Sequence, residues 1–378
     1  FICITFLAPI ADMLFRSVEN NIVPETLPQT TQAIQAWDPK SGEAPGEAVY
    51  AALYADLKVA VKARNHTKVA SRLNYETPGI ASLFRKSGRR IKKMKDGNYK
   101  EQFLKMDKNW GKLFVWETIH RFSGPYTSGY FLSSVDAEKT SEGVSLKPED
   151  ERLYLYLLWR TMLLSVVITI TCVLLGYPIA YILADLPLRT SNLLMILVLL
   201  PFWTSLLVRT SSWIVLLQEQ GVINDFLVML GIIDDQSRLA LMYNETGTVI
   251  AMTHILLPFM ILPLFSVMKT VSPSYMRAAK SLGASDWTAF WRVYFPNTIP
   301  GIGAGGVLVF ILAIGYYITP ELVGGTSGIF ISNRIAYHIS SSLNWGLGAA
   351  LGVMLLGVVL VMYFIYDKIV GIDNVKLG

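Results

Sequence analysis

The chain has 378 residues, 52% of them hydrophobic and 16% charged, and carries a net charge of +5. That charge is weak evidence for any anionic partner. The two cysteines, Cys3 and Cys172, lie inside apolar runs and the histidines are scattered, so neither a disulfide framework nor a metal site is readable.

Residues 1–11 are apolar until Asp12 interrupts, too short a run for a crossing of about twenty residues. Residues 1–15 read as the tail of a first transmembrane helix whose beginning is missing. A signal-peptide core is the competing reading, but no small-residue cleavage pattern follows. Residues 16–150 form a hydrophilic insert that opens on a Pro- and Thr-rich linker. Residues 47–72 predict a helix with Val49, Leu53, Leu57 and Val61 on one face. A basic run at 85–95 fits a solvated charged face or a contact for acidic headgroups or a partner. Trp110, Phe114, Trp116 and Phe122 mark another apolar face, and aromatics near the basic run are too sparse to argue for nucleic acid.

The rest, 151–370, is strongly apolar. The second span covers 153–184, with no charge from Thr161 until Asp185. A third covers 193–208 and continues toward Leu217, and a polar, acidic link follows at 218–246. The fourth, 247–268, contains Pro258 and Pro263, which spans tolerate where neighbours satisfy the freed carbonyls. The fifth, 301–319, starts glycine-rich and predicts close helix packing; the sixth covers 347–366. The predicted fold class is an all-α membrane protein of six transmembrane helices, the first truncated, with a large helical insert. In the 269–300 loop, Lys269, Arg277, Lys280 and Arg292 stand against Asp286 alone, which places that loop in the cytoplasm. Counting parity puts the insert outside the cytoplasm and the 371–378 tail inside it. Long loops translocate largely regardless of charge, so the basic run does not conflict.

Residues 272–300 organise the chain. They read as two short helices joined by a glycine. Ser272 can cap the first, Pro273 suits its first turn and Gly283 is a natural stop. Ser285 can cap the second, and Pro296 is expected to end it. Tyr275, Ala278, Ala279 and Leu282 fall at i, i+3, i+4, i+7, and Trp287, Phe290, Trp291 and Tyr294 repeat that spacing. Such a pair can lie on headgroups, plug into a partner's groove, or simply link two spans. No G-x-x-x-x-G-K-[ST] occurs, and no nucleophile–base arrangement stands out. If ATP drives this chain, the ATPase is another polypeptide.

The same segment resembles the coupling loop of ABC importer permeases, whose pattern is Glu-Ala-Ala, three residues, Gly, nine residues, then Ile-x-Leu-Pro. Ala278, Ala279, Gly283 and Pro296 hold the matching positions; Arg277 stands where Glu is usual, and Val293 and Phe295 replace Ile and Leu. Gly176-Tyr177-Pro178 with Ala184, Pro201-Phe202-Trp203-Thr204 with Arg209, and Leu257-Pro258-Phe259-Met260 are similar to the permeases of spermidine/putrescine ABC importers. The insert departs from the shorter loop usual there. The resemblance implies a type I ABC importer permease in a bacterial inner membrane, a transport subunit rather than an enzyme. It implies a partner ABC ATPase dimer that holds ATP and Mg, a second, different permease subunit, and a periplasmic solute-binding protein. The ATPase-coupling residues it implies are Tyr275, Arg277, Ala278, Ala279, Leu282, Gly283, Trp287 and Pro296.

A cationic polyamine wants carboxylates for its ends and aromatic faces along its length. Glu321, after Tyr316 and Tyr317, fits, although a solvated Glu at a helix end beside Pro320 is the plainer reading. Tyr177 and Trp203 are further pathway candidates. Asp185 reads as a helix-end or subunit contact. Arg209 would repel a cation and is expected to pair with a carboxylate or lie near the outer interface. Related amino compounds such as opines are an alternative cargo. An ATP-independent secondary transporter would show paired halves and buried charges, which the sequence does not. A membrane-anchored interaction protein working through its insert is a third reading.

Overall fold

The computed structural model describes residues 3–140 and 143–370, so the expected tail at 371–378 lies outside the described residues. The chain forms two compact units, Phe1–Glu149 with Ser342–Val353, and Asp150–Ser341 with Met354 onward.

The first unit is helical apart from one hairpin, in which Ala137–Thr140 pairs antiparallel with Gly143–Leu146. Its core is aromatic: Tyr50, Phe84, Phe103, Trp110 and Trp116 are fully buried. Buried Tyr and Trp need partners for their polar tips, and each has one. Tyr50 donates to the Trp110 carbonyl at 2.7 Å, Trp116 Nε1 donates to the same carbonyl at 2.7 Å, and Trp110 Nε1 donates to Ser87 Oγ at 2.9 Å. Burial pushes the Tyr50 phenol up to about 12. The helix expected over 47–72 is instead two helices, Glu47–Lys62 and His66–Glu76. They break at Arg64, which takes a left-handed φ of 59°. No glycine or proline announces that break, because the turn uses an ordinary residue.

Among the described residues, four helices are long and apolar enough to cross a membrane: Tyr154–Asp185, Glu245–Thr270 and Asp286–Gly315 in the second unit, and Trp345–Tyr366, shared with the first. The expected third span is not straight. Leu188–Trp203 and Leu206–Met229 meet at 94°. Pro201 sits in a 3₁₀ turn at 200–203, and Ser205 then caps a new helix by accepting from Val208 N at 3.2 Å. The fourth span lies against the second and fifth, and small residues set the distances. A Cβ on Gly176 would lie 3.1 Å from Met260 Cγ. One on Gly301 would lie 3.3 Å from Leu264 Cα, and one on Gly305 would lie 3.2 Å from the Met260 carbonyl oxygen.

The fifth span differs from expectation at both ends. It begins at Asp286, passes through Pro296 without stopping, and ends at Gly315; Thr319 belongs to the separate helix Ile318–Val323. Proline interrupts a regular α-helix by clashing with the carbonyl four residues back. Here a π-turn over Phe290–Tyr294 widens the backbone just before Pro296 and accommodates the ring.

Candidate functional site

The second span acts as a ruler. Near its start, Arg160 donates to the Thr326 and Ile329 carbonyls at 3.3 and 2.9 Å, and Thr161 Oγ1 accepts from Ile331 N at 2.9 Å. Near its end, Lys269 Nζ donates to the Ala184 carbonyl at 2.9 Å, a cation closing a helix C-terminus. The 316–340 segment therefore sits at one end of the bundle, and the 269–298 segment at the other.

At the second end stands the helix pair. Ser272 Oγ accepts from Ser274 N at 3.3 Å, and Pro273–Ser281 follows with no buried residue. Gly283 N donates to the Lys280 carbonyl at 2.9 Å and Ala284 N to the Ala279 carbonyl at 3.1 Å. This is the paired closure of a Schellman motif, and Gly283 takes the φ of +90° that it demands. Nothing lies within 4 Å of a Cβ built there, so conformation and not crowding selects glycine. Ser285 Oγ accepts from Thr288 N at 3.3 Å, which starts the second helix. Lys280 and Asp286 form an ion pair across the turn. Each stands at the helix end its charge favours, and the Asp286 carboxylate holds the Lys280 ammonium above its usual range.

The first helix shows its apolar residues to the outside. Leu282 is 90% exposed and Tyr275 53%, with Ala278 exposed and Ala279 half-buried beside them. Arg277 is exposed and has no ion-pair partner among the described residues. The second helix divides its aromatic face. Trp287 is 72% exposed and meets Trp291 edge-on at 5.6 Å, whereas Phe290 and Tyr294 pack on Tyr181 at 5.8 and 5.2 Å. A shallow apolar cavity of about 390 Å³ lies between Tyr177, Pro178, Tyr181, Trp287 and Phe290. The helix pair is thus a rigid, self-capped projection. It is footed on the second span through Phe290 and Tyr294, and its outer face is open.

Tyr177 belongs to that foot. Its ring packs on Phe290 and Phe295 at 6.2 and 5.8 Å, and its hydroxyl shares a hydrogen bond with Thr298 at 3.0 Å. It lies about 24 Å along the helix from Thr161, so it does not stand with the pathway candidates at the other end. There the structure gathers Tyr316, Tyr317 and Glu321. Asn333 Nδ2 donates to the Tyr317 carbonyl at 2.9 Å and to Glu321 Oε2 at 2.6 Å, while Asn333 Oδ1 accepts from Phe330 N at 2.9 Å. Sequence reasoning passed over Asn333. Its place three residues after Phe330, at the start of a helix, was the available signal. Trp203 lies on the bend of the third span, 89% exposed, beside Phe202, which packs edge-on against Phe259 at 4.9 Å.

Of the two outcomes expected for Arg209, a carboxylate partner or a place near the outer interface, the first is not found among the described residues: its Nε and Nη1 are buried with no hydrogen-bond partner. One turn on, Trp213 Nε1 donates to His254 Nδ1 at 3.1 Å, and Thr210 and Thr319 share a hydrogen bond at 3.1 Å. The bent span is thereby tied both to the fourth span and to the Glu321 helix. Among the described residues, no group of His, Cys, Asp and Glu is arranged to hold a metal ion.

A bundle of apolar spans, one of them broken, with a projecting capped helix pair at one end, is the build of a multi-pass membrane protein. Residues 176–370 match the family described as binding-protein-dependent transport system inner membrane component, and the chain belongs to that family. It is an ABC importer permease of the inner membrane. Among its relatives is the spermidine/putrescine transport system permease protein PotB of Salmonella typhimurium (strain SL1344), 36% identical over 226 residues, covering 60% of this chain and 78% of the relative. PotB of Escherichia coli (strain K12) is 35% identical over 225 residues, covering 60% and 81%. The inner membrane ABC transporter permease protein YdcU of Escherichia coli (strain K12) is 30% identical over 262 residues, covering 66% and 82%. Among solved structures, a bacterial alginate ABC transporter in complex with an alginate pentasaccharide-bound periplasmic protein aligns with a TM-score of 0.49 at 17% identity, covering 60% of this chain and 80% of that one.

Proposed function

We propose that the chain carries polyamines of the spermidine/putrescine kind into the cell. A periplasmic binding protein delivers them, a second permease subunit completes the path, and a separate ATPase dimer holding ATP and Mg supplies the energy. Similarity to the PotB permeases supports the cargo. The observation that carries the mechanism is the exposed face of the helix pair, with Leu282 at 90% and Trp287 at 72% exposure. An apolar face on a capped, rigid element suits a partner's groove. In this reading the helix pair is cytoplasmic. ATP-driven closure of the ATPases moves it, and Phe290 and Tyr294 carry the motion to Tyr181 on the second span. Alternating access then follows from the two states' different affinity for nucleotide.

At the other end, Glu321 would take an ammonium group, with Tyr316 and Tyr317 offering ring faces to the methylene chain. Opine-like compounds, which carry carboxylates, are a second reading. The buried Nε and Nη1 of Arg209 favour it, since a cargo carboxylate can accept from both.

The test uses two variants. Gly283→Val places a β-branched residue at a φ of +90°, where strain re-aims the second helix. Ala279→Asp puts a charge on the docking face, a cost of several kcal/mol if unpaired. Both should leave the membrane insertion intact, abolish ATP-driven uptake of labelled spermidine, and release or uncouple the ATPase. Normal uptake by both variants with the ATPase still bound would overturn the coupling assignment. ATP-driven uptake of a labelled opine but not of labelled spermidine by the wild type would select the second cargo.

A further inference from the structure

One crevice of about 740 Å³ belongs wholly to the first unit. Its walls come from the end of the first apolar helix, from the helix His66–Glu76, and from the residues that lead into the sixth span. The two apolar helices below it touch: a Cβ on Gly352 would lie 3.6 Å from Met13 Cε. Met13 is one turn before Arg16, and Gly352 is two turns beyond Trp345. The crevice thus opens at the start of the sixth span, Trp345–Tyr366, a helix long and apolar enough to cross a membrane. Trp345, half-exposed with the Arg16 guanidinium 5.8 Å from its ring centre, is the kind of aromatic that anchors a span at its end.

The lining carries both signs of charge. Arg72 is 2% exposed and held between the rings of Phe122 and Tyr130, at 4.8 and 4.3 Å. Its Nε donates to Asn20 Oδ1 at 3.1 Å and its Nη1 to Glu76 Oε1 at 2.7 Å, but Nη2 has no partner. A buried charged donor left unmade is costly, so this nitrogen favours any acceptor that reaches it. Lys68 and Glu25 also line the crevice, and neither side chain has a hydrogen-bond or ion-pair partner among the described residues. Glu19 joins Glu25 on the lining and accepts only from Asn21 Nδ2, at 2.6 Å. Arg16 is already paired with Asp12 at 2.8 Å.

Lys68 and Glu25 without partners, with Arg72 and Glu19 beside them, put both signs of charge in one crevice and match a ligand that is itself a zwitterion. We propose that the crevice holds the headgroup of a phospholipid with a primary amine. Its phosphate meets Lys68 and Arg72, and its ammonium meets Glu19 and Glu25. A soluble zwitterion of the same chemistry is the other source. The position of the crevice at the start of the sixth span selects the lipid, whose acyl chains can run down the exposed apolar faces of that span and of the Ala8–Arg16 helix beside it.

The experiment uses the full chain with its native partners, reconstituted in nanodiscs of mixed phosphatidylethanolamine and phosphatidylcholine. Lipid retained after detergent extraction is read by native mass spectrometry. Phosphatidylethanolamine should be retained over phosphatidylcholine, because a quaternary choline cannot donate hydrogen bonds to Glu19 and Glu25. Lys68→Met and Glu25→Gln should each cut that retention about tenfold, the loss of one charge-assisted contact. Both sites are exposed, so the melting temperature in pure phosphatidylcholine should not change. Equal retention of the two lipids, or wild-type retention by both variants, would overturn the proposal. So would displacement of the lipid by an equal concentration of soluble O-phosphoethanolamine, which would assign the crevice to a soluble zwitterion instead.

Discussion

Glu321 uses one carboxylate oxygen to accept from Asn333, and its other oxygen has no partner among the described residues. That bond orients the group without neutralising it. Glu321→Gln keeps the bond to Asn333 in shape but removes the charge. Spermidine uptake should fall about tenfold, with ATPase association unchanged; uptake at wild-type rate would remove Glu321 from the path. His338, on the short helix Ile331–Ser340 between the fifth and sixth spans, makes a different prediction. Burial, reinforced by the nearby Arg334 charge, lowers its pKa to about 4. An unfolded histidine titrates near 6.5. Between these values the unfolded chain binds a proton that the folded chain refuses. Stability from this group is therefore full above 6.5 and is lost as pH falls, by on the order of 3 kcal/mol at pH 4. The melting temperature should drop over that window, and His338→Asn should flatten the decline. An unchanged decline in the variant would assign it to other groups.

The elements were unevenly legible in the sequence. Uncharged apolar runs placed the second, fourth and sixth spans to within a turn, because only a spanning helix satisfies its backbone in lipid. The bend in the third span was missed, although Pro201 and the capping Ser205 mark it; continuous apolar composition masked a local break. Pro296 misled in the opposite direction. Proline rules assume a regular α-helix, and the π-turn before it changes the geometry the rule depends on. Around the site, the caps and Gly283 followed from local chemistry. The foot on Tyr181 and the Asn333–Glu321 bond did not, since both join residues distant in sequence. The glycines of the fifth span were read as packing residues, and the geometry makes that testable. Gly305→Val would bring a side chain against the Met260 carbonyl oxygen, a backbone atom that cannot rotate away. The cost should be roughly 1–3 kcal/mol, seen as a lower melting temperature in detergent. Gly357→Val, where nothing lies within 4 Å, is the control and should change little. Equal behaviour of the two would show that the spans do not pack through Gly305.

At the scale of the whole molecule, the insert packs with residues outside it. The first unit includes Ser342–Val353, so the residues that lead into the sixth span are part of it. Tyr75 donates its hydroxyl proton to the Ser342 carbonyl at 2.6 Å, and the Tyr130 ring lies directly against Gly346. Deleting 20–149 removes both tyrosines together with Arg72. It leaves the backbone at 342–346, at the start of the sixth span, without its partners. Such a deletion should lower accumulation of the whole chain, and lost transport in it would say nothing about what the insert does. A core substitution separates the two effects. Trp110 is fully buried, donates to Ser87 and accepts at its carbonyl from both Tyr50 and Trp116. Trp110→Ala removes the ring but keeps that carbonyl, at a cost of roughly 3–5 kcal/mol to the first unit. Limited proteolysis should then cut within the insert far sooner than in wild type, while the 154–315 spans stay resistant and still bind the ATPase. The comparison to make is the 20–149 deletion against Trp110→Ala in the same membranes. A deleted chain that accumulates and melts as wild type would show that 342–346 needs no cover, and would reduce the insert to an accessory.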